Sequence, residues 1–119
     1  MDSILTSIKK LLGIPEEYTA FDADLLIHIN SVLAILTQMG IGPSNGFTIA
    51  DSYAKWSDFI PDNNLTLESV KSYIYLKVKI LFDPPDRTNV LESTNRMIRE
   101  LEWRLYVEAE ALKEKNNDV

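Results

Sequence analysis

The stretch Thr66-Leu67-Glu68-Ser69-Val70-Lys71-Ser72-Tyr73-Ile74-Tyr75-Leu76-Lys77-Val78-Lys79-Ile80-Leu81-Phe82 decides the fold. Taken locally, Tyr73 to Ile80 is rich in β-branched and aromatic residues that partly alternate with polar ones, which suits a strand. Taken whole, Leu67, Val70, Ile74, Val78 and Leu81 fall on one helical face. Thr66 is a fitting cap, and Glu68 suits the positive end of the helix dipole. The uninterrupted length favours a helix, since strands are usually much shorter. The alternation keeps a strand open over 70–80. Asp83-Pro84-Pro85 ends the element, because proline removes a donor and restricts the residue before it.

Outward from this stretch, the pattern stays helical. Ile4, Leu5, Ile8, Leu11 and Leu12 predict a short amphipathic helix over 3–12, capped by Ser3, stopped by Gly13 and Pro15, with Lys9 and Lys10 opposite its apolar side. Residues 22–39 predict a central helix with Asp22 or Asp24 as its cap. Its apolar residues, from Leu25 to Met39, cover almost every side, so a partner subunit is expected to cover what the core does not. Residues 87–115 predict a long last helix in which Asn89-Val90-Leu91-Glu92 resembles a capping box. Leu91, Ile98, Leu101, Leu105 and Leu112 follow a heptad, with Thr94 and Glu108 as its weak members. Arg96 with Glu100, and Arg104 with Glu108, are spaced to pair along its surface. Residues 116–119 should fray. The expectation is an all-α fold: a small bundle of about four helices forming one domain over 1–115.

The exception is 40–65. Gly40, Gly42, Pro43, Asn45 and Gly46 are turn formers, yet Phe47, Ile49, Tyr53, Trp56, Phe59 and Ile60 follow closely. A long irregular loop this aromatic is expected to contain a short helical turn near 51–60 and to order on assembly with a partner. Removing 44–58 should then spare the helical fold.

Composition narrows the function. The 119 residues are 45% hydrophobic and 25% charged, ordinary for a globular chain and far from a disordered one. No apolar run reaches the length of a membrane-spanning helix. Twelve bases against 18 acids give a net charge of −6, a poor balance for gripping nucleic-acid phosphates. Between 14 and 68 there are eight acids and one base, Lys55. Such an acidic middle suits an ordinary solvated surface, and also one that DNA must pass without sticking. There is no cysteine, which removes disulfides and thiolate chemistry. The start, Met1-Asp2-Ser3-Ile4, carries an acid where a secretory signal would carry bases.

Candidate chemistry is sparse. His28 is the single histidine and falls inside the central helix, so a catalytic triad or histidine metal site lacks its parts. Asp22 with Asp24, and Glu100 with Glu102, are two residues apart and cannot face each other on a helix. Gly40-Ile41-Gly42-Pro43-Ser44-Asn45-Gly46 fails the dinucleotide fingerprint, because its third glycine position holds Asn45. The reading is no enzyme, no cofactor and no metal. The candidate interface residues are Tyr53, Trp56 and Phe59 from the loop and Trp103 and Tyr106 from the last helix. Trp56 and Trp103 suit the monomer's own core equally well.

Several segments in order carry a resemblance: Ile29-Asn30-Ser31-Val32, Gly40-Ile41-Gly42-Pro43, Trp56-Ser57-Asp58-Phe59, Tyr73 through Pro85, and Glu102-Trp103-Arg104-Leu105. Across roughly 3 to 107 the chain resembles the tailed-bacteriophage head–tail connector proteins, also called adaptor or head-completion proteins, of phage or prophage origin. The resemblance implies an all-helical structural virion protein without catalysis or cofactor. It implies a homo-oligomeric ring under the portal, with about twelve subunits to match the portal's symmetry. Its partners would be the portal protein and downstream connector or tail proteins. DNA would pass through without sequence-specific binding, and no membrane would be involved. The location implied is the virion head–tail junction, after assembly in the bacterial cytoplasm. A second reading is a generic helical interaction module that dimerises through the last helix.

Overall fold

In a computed structural model, residues 3–60 and 66–117 are described. Among them are five helices and no strand, so the fold is an all-α bundle. The helices are α1 (Ile4–Leu12), α2 (Asp22–Met39), α3 (Trp56–Phe59), α4 (Thr66–Phe82) and α5 (Thr88–Asn117). The deciding stretch is helical throughout. Leu67, Val70, Tyr73, Ile74 and Val78 are buried, and that spacing of three and four buries one helical face where a strand would bury every second residue.

α2 and α4 form the central pair, and α1 and α5 each pack on both of them. α2 buries Leu25, Ile29, Val32, Leu33 and Leu36. α1 buries Ile4, Leu5 and Ile8. α5 runs antiparallel to α4. The Tyr73 hydroxyl donates to Glu102 Oε2 at 2.8 Å, and the Thr66 hydroxyl donates to Glu108 Oε2 at 2.6 Å. At 30 residues, α5 sets the long axis of a molecule measuring 48 × 35 × 21 Å. Its Ile98 and Leu105 are buried within the chain. The heptad seam is thus turned into the molecule's own core, which leaves it unavailable for a coiled-coil dimer; the Leu112 side chain lies outside the described residues.

Several local expectations are corrected. The cap position of α2 is Phe21, without a side-chain cap, and Asp22 instead pairs with Lys9. α5 begins at Thr88, and the Leu91 amide donates to Arg87 O at 3.0 Å, so Asn89 lies inside the first turn. Helix continues to Asn117, through part of the segment expected to fray. Arg104 pairs with Glu100 at 2.7 Å rather than with Glu108, whose carboxylate is taken by Thr66.

The largest correction concerns the loop. Residues 61–65 lie outside the described residues, but 40–60 is packed on its own chain. Gly40 ends α2 in the left-handed region. The Asn30 side chain on α2 then holds the loop at Ile49 from both sides. Its Nδ2 donates to Ile49 O at 2.9 Å, and its Oδ1 accepts from the Ile49 amide at 2.8 Å. The Ile4 amide donates to Ala54 O at 2.9 Å, and Trp56 Nε1 donates to Ser7 Oγ at 3.0 Å. Gly42 has φ +86°, and a Cβ there would run into the Phe59 ring. Ile41, Ile49, Trp56, Phe59 and Ile60 are all core residues. Deleting 44–58 would therefore remove Ile49 and Trp56 from the core and break the fold instead of sparing it.

Candidate functional site

Two of the five candidate interface residues are not on the surface. Trp56 and Phe59 are 2% and 4% exposed. Trp56 is fixed by Ser7 and lies under Lys71, whose Nζ stands 5.6 Å from the ring centroid. Phe59 packs on Phe47 with centroids 5.2 Å apart. Their burial offsets the entropy of ordering the loop, so their role is to hold it against α1 and α2. The other three are open. Tyr53 is 82% exposed, Trp103 67% and Tyr106 54%. Tyr53 sits in a turn closed by its amide donating to Asp51 Oδ1 at 2.9 Å, next to the strip that meets the start of α1. Trp103 and Tyr106 stand on α5 with Val107, also exposed.

The electrostatics of α5 differ from its sequence. Acids and bases alternate along the chain, but Glu102 and Glu108 turn inward to the Tyr73 and Thr66 hydroxyls. Burial pushes the Tyr73 phenol well above its usual range, and the hydrogen bond and charge of Glu102 add to this. On the outward face, Arg96, Arg99 and Arg104 are exposed together with Glu92, Glu100 and Glu110, and Arg104 pairs with Glu100 at 2.7 Å. The aromatic face of α5 is therefore mixed in charge, three bases against three acids.

Sequence reading missed a second surface. Lys9, expected opposite the apolar side of α1, is 2% exposed. Its ammonium donates to Glu16 O at 2.8 Å and to Tyr18 O at 2.7 Å. It also meets Asp22 Oδ1 at 2.9 Å as an ion pair. This buried cation pins the whole connection from α1 to α2. On that connection Tyr18 and Phe21 face solvent, and Phe21 meets Phe82 at the end of α4. The centroid separations are 5.5 Å for Tyr18–Phe21 and 5.2 Å for Phe21–Phe82. Glu16, Glu17 and Asp24 flank the aromatics and are exposed. The signal in the sequence was two aromatics in a short, acidic, proline-started linker.

No group of three or more His, Asp or Glu able to hold a metal occurs among the described residues. No helix there is long and apolar enough to cross a membrane. What stands out is a helical frame carrying two exposed aromatic surfaces, one of mixed charge on α5 and one flanked by acids beside Lys9.

Comparison with protein families agrees. A family model described as phage connector protein matches residues 4–111. The chain belongs to the phage connector protein family. That match runs from the first residue of α1 into the last third of α5 and takes in both aromatic surfaces. No curated protein and no solved structure matches the chain. This connector is a structural phage protein.

Proposed function

We propose that the protein assembles as a ring beneath the portal vertex, joins the DNA-filled head to the tail and forms part of the DNA channel. The observation that carries this is α5, which buries one face in its own core and presents Trp103, Tyr106 and Val107 outward. An exposed aromatic group of this kind marks a contact surface. Tyr53, 82% exposed on the loop before α3, is assigned to a further contact, either with the portal or with the next connector or tail protein. The ring is expected to follow the portal's symmetry, with about twelve subunits.

A net charge of −6 supports passage of DNA without retention, because an acidic wall displaces no counterions from the DNA phosphates. The role needs no catalysis and no cofactor. Dimerisation through the α5 heptad is disfavoured, since Ile98 and Leu105 are already buried in the chain.

The test is native mass over a concentration series, alone and with portal rings, with negative-stain images of the largest species. A closed ring, free or seated on the portal, is expected. A stable dimer that ignores the portal would overturn the proposal.

A further inference from the structure

We infer that the free chain pairs with a second copy through the outward side of α5, the two helices antiparallel and centred on Trp103. The pairing is read from that face alone, and only its consequence for the portal rests on the connector reading above.

The first argument is the order of charges on the face. Arg96, Arg99, Val107 and Glu110 fall within about 40° of Trp103 on the α5 wheel, and all are exposed. Tyr106 and Glu100 flank them, while Arg104 lies off this line and is paired with Glu100. The bases stand seven and four residues before Trp103, and Val107 and an acid stand four and seven residues after it. Such a face matches itself when reversed. Laid antiparallel about Trp103, Arg96 comes opposite Glu110 of the second copy. Arg99 comes opposite the turn that carries Tyr106 and Val107 of the second copy. The two-fold axis repeats each contact. Guanidinium meets carboxylate and an aromatic ring, with the two Trp103 rings at the centre. A parallel pair would set Arg96 on Arg96 and Glu110 on Glu110, where like charges repel. Glu92 falls one turn outside the contact, opposite position 114, also a glutamate in the sequence, at a rim where solvent screens the repulsion.

The second argument is net charge. Each chain carries −6, so two copies repel over most approaches. They meet at least cost where charge balances locally, as it does on this face. The surface at Glu16, Glu17 and Asp24 offers no such balance.

The third is rigidity and size. α5 is tied to α4 by the Tyr73–Glu102 and Thr66–Glu108 hydrogen bonds, and it buries Ile98 and Leu105 on the opposite side. The face is presented already formed and loses little entropy on binding. The leucine heptad stays in the core. From Arg96 to Glu110 the contact runs about 21 Å. A single helix face of that length buries less than the roughly 1,200 Å² of a durable interface, so the pair is weak and forms with concentration. It covers Trp103 and Tyr106, the residues assigned above to the connecting contact, and the portal must displace it to reach them.

The chain has no cysteine, so introduced thiols report cleanly. The full chain is made with Arg96→Cys and, separately, with Glu110→Cys. Mixed under mild oxidation, the two are expected to give a covalent heterodimer, while each alone stays largely monomeric, because like positions lie about 21 Å apart along the antiparallel pair. Predominant homodimers of either variant, or a heterodimer yield no higher than with a Ser72→Cys control, would overturn the inference. In sedimentation, Arg96→Glu and Glu110→Arg should each weaken pairing by about tenfold or more. The double swap, Arg96→Glu with Glu110→Arg in one chain, should return it to within about threefold of wild type; failure to recover also counts against the pairing. Uptake of the wild-type chain by portal rings is scored separately. Uptake by a chain that never pairs sinks this inference and leaves the connector role standing. A pair that forms and ignores the portal supports the pairing and sinks the connector role instead.

Discussion

Replacing Lys9 by Met tests how the connection between α1 and α2 is held. Methionine keeps most of the stem's volume and its helix propensity, so packing and α1 itself are nearly preserved. What disappears is the ammonium with its three partners, Glu16 O, Tyr18 O and Asp22 Oδ1. Breaking a buried pair from one side costs roughly 3–5 kcal/mol, because the remaining charge stays without compensation. The Asp22 side chain is 26% exposed, so water relieves part of this and the lower end applies. Two carbonyls left without a donor add about 1 kcal/mol each if water cannot reach them, though such terms do not sum fully. The expected loss is about 3 kcal/mol. Against a typical domain stability of roughly 5–15 kcal/mol, that lowers Tm by about 10 °C in a chain of this size.

Circular dichroism melts and urea titrations measure the loss directly. A cycle with Asp22→Asn separates the ion pair from the carbonyl bonds. The double variant should recover part of the loss, with a coupling of at least about 1.5 kcal/mol. Amide exchange at Tyr18 and Phe21 should speed up in Lys9→Met, while the α4 amides respond only to the global loss. If Lys9→Met lies within about 0.5 kcal/mol of wild type, the ammonium is not holding the connection and the reasoning fails.

Three further outcomes are expected. Asn30→Ala removes both bonds to Ile49 and should cost about 2 kcal/mol by urea denaturation; Asn30→Asp should do little better, since its carboxylate faces the Ile49 carbonyl. Gly42→Ala should cost several kcal/mol, through positive φ and collision with Phe59, whereas Gly13→Ala, with open space around it, should cost about 1 kcal/mol; equal losses would show that the Phe59 contact is unimportant. Tyr73→Phe should cost about 1 kcal/mol at neutral pH. The Tyr73 phenol is raised in the folded state, so its contribution is full below the unfolded value of about 10 and falls as pH rises above it. Urea midpoints between pH 8 and 11 should therefore decline less steeply in Tyr73→Phe than in wild type.

Much of this was legible in the chain, and the failures have physical causes. The periodicity of α4 was sufficient, because Leu67, Val70, Ile74 and Val78 are all buried and no strand could bury that set. The connector resemblance likewise lay in ordered segments. The loop was misjudged because glycines and prolines report turns and say nothing about what the turned backbone packs on. Asn30, a lone amide in an apolar helix, was the available hint that a neighbouring backbone needed both a donor and an acceptor. For Trp56 the sequence leaves interface and core equally open, and it points Phe59 to an interface, because an aromatic in a loop reads the same whether it faces inward or outward; both are buried.

The charged residues show what sequence order hides. At 100° per residue, Lys9 falls 40° from Leu5 on the α1 wheel, at the edge of the apolar side, while Lys10 lies fully opposite. Lys9 is accordingly buried and Lys10 exposed, and Leu11, on the other edge, is 53% exposed. The same rotation sorts α5. Glu102 and Glu108 fall near Leu101, Leu105 and Ala109 on the inward side, whereas Arg96, Arg99 and Trp103 fall together on the outward side. Glu92 and Glu110 fall there too and are exposed, so the outward side is a balanced charged face with Trp103 at its centre, while the inward acids serve the fold. Neutralising the inward pair, as in Glu102→Gln with Glu108→Gln, should lower the urea midpoint, because the Tyr73 and Thr66 hydroxyls lose charged acceptors. Neutralising the outward pair, as in Arg96→Gln with Arg99→Gln, should leave stability within about 0.5 kcal/mol of wild type. If both pairs of changes cost the same, the division of α5 into a packed and an open face would be wrong.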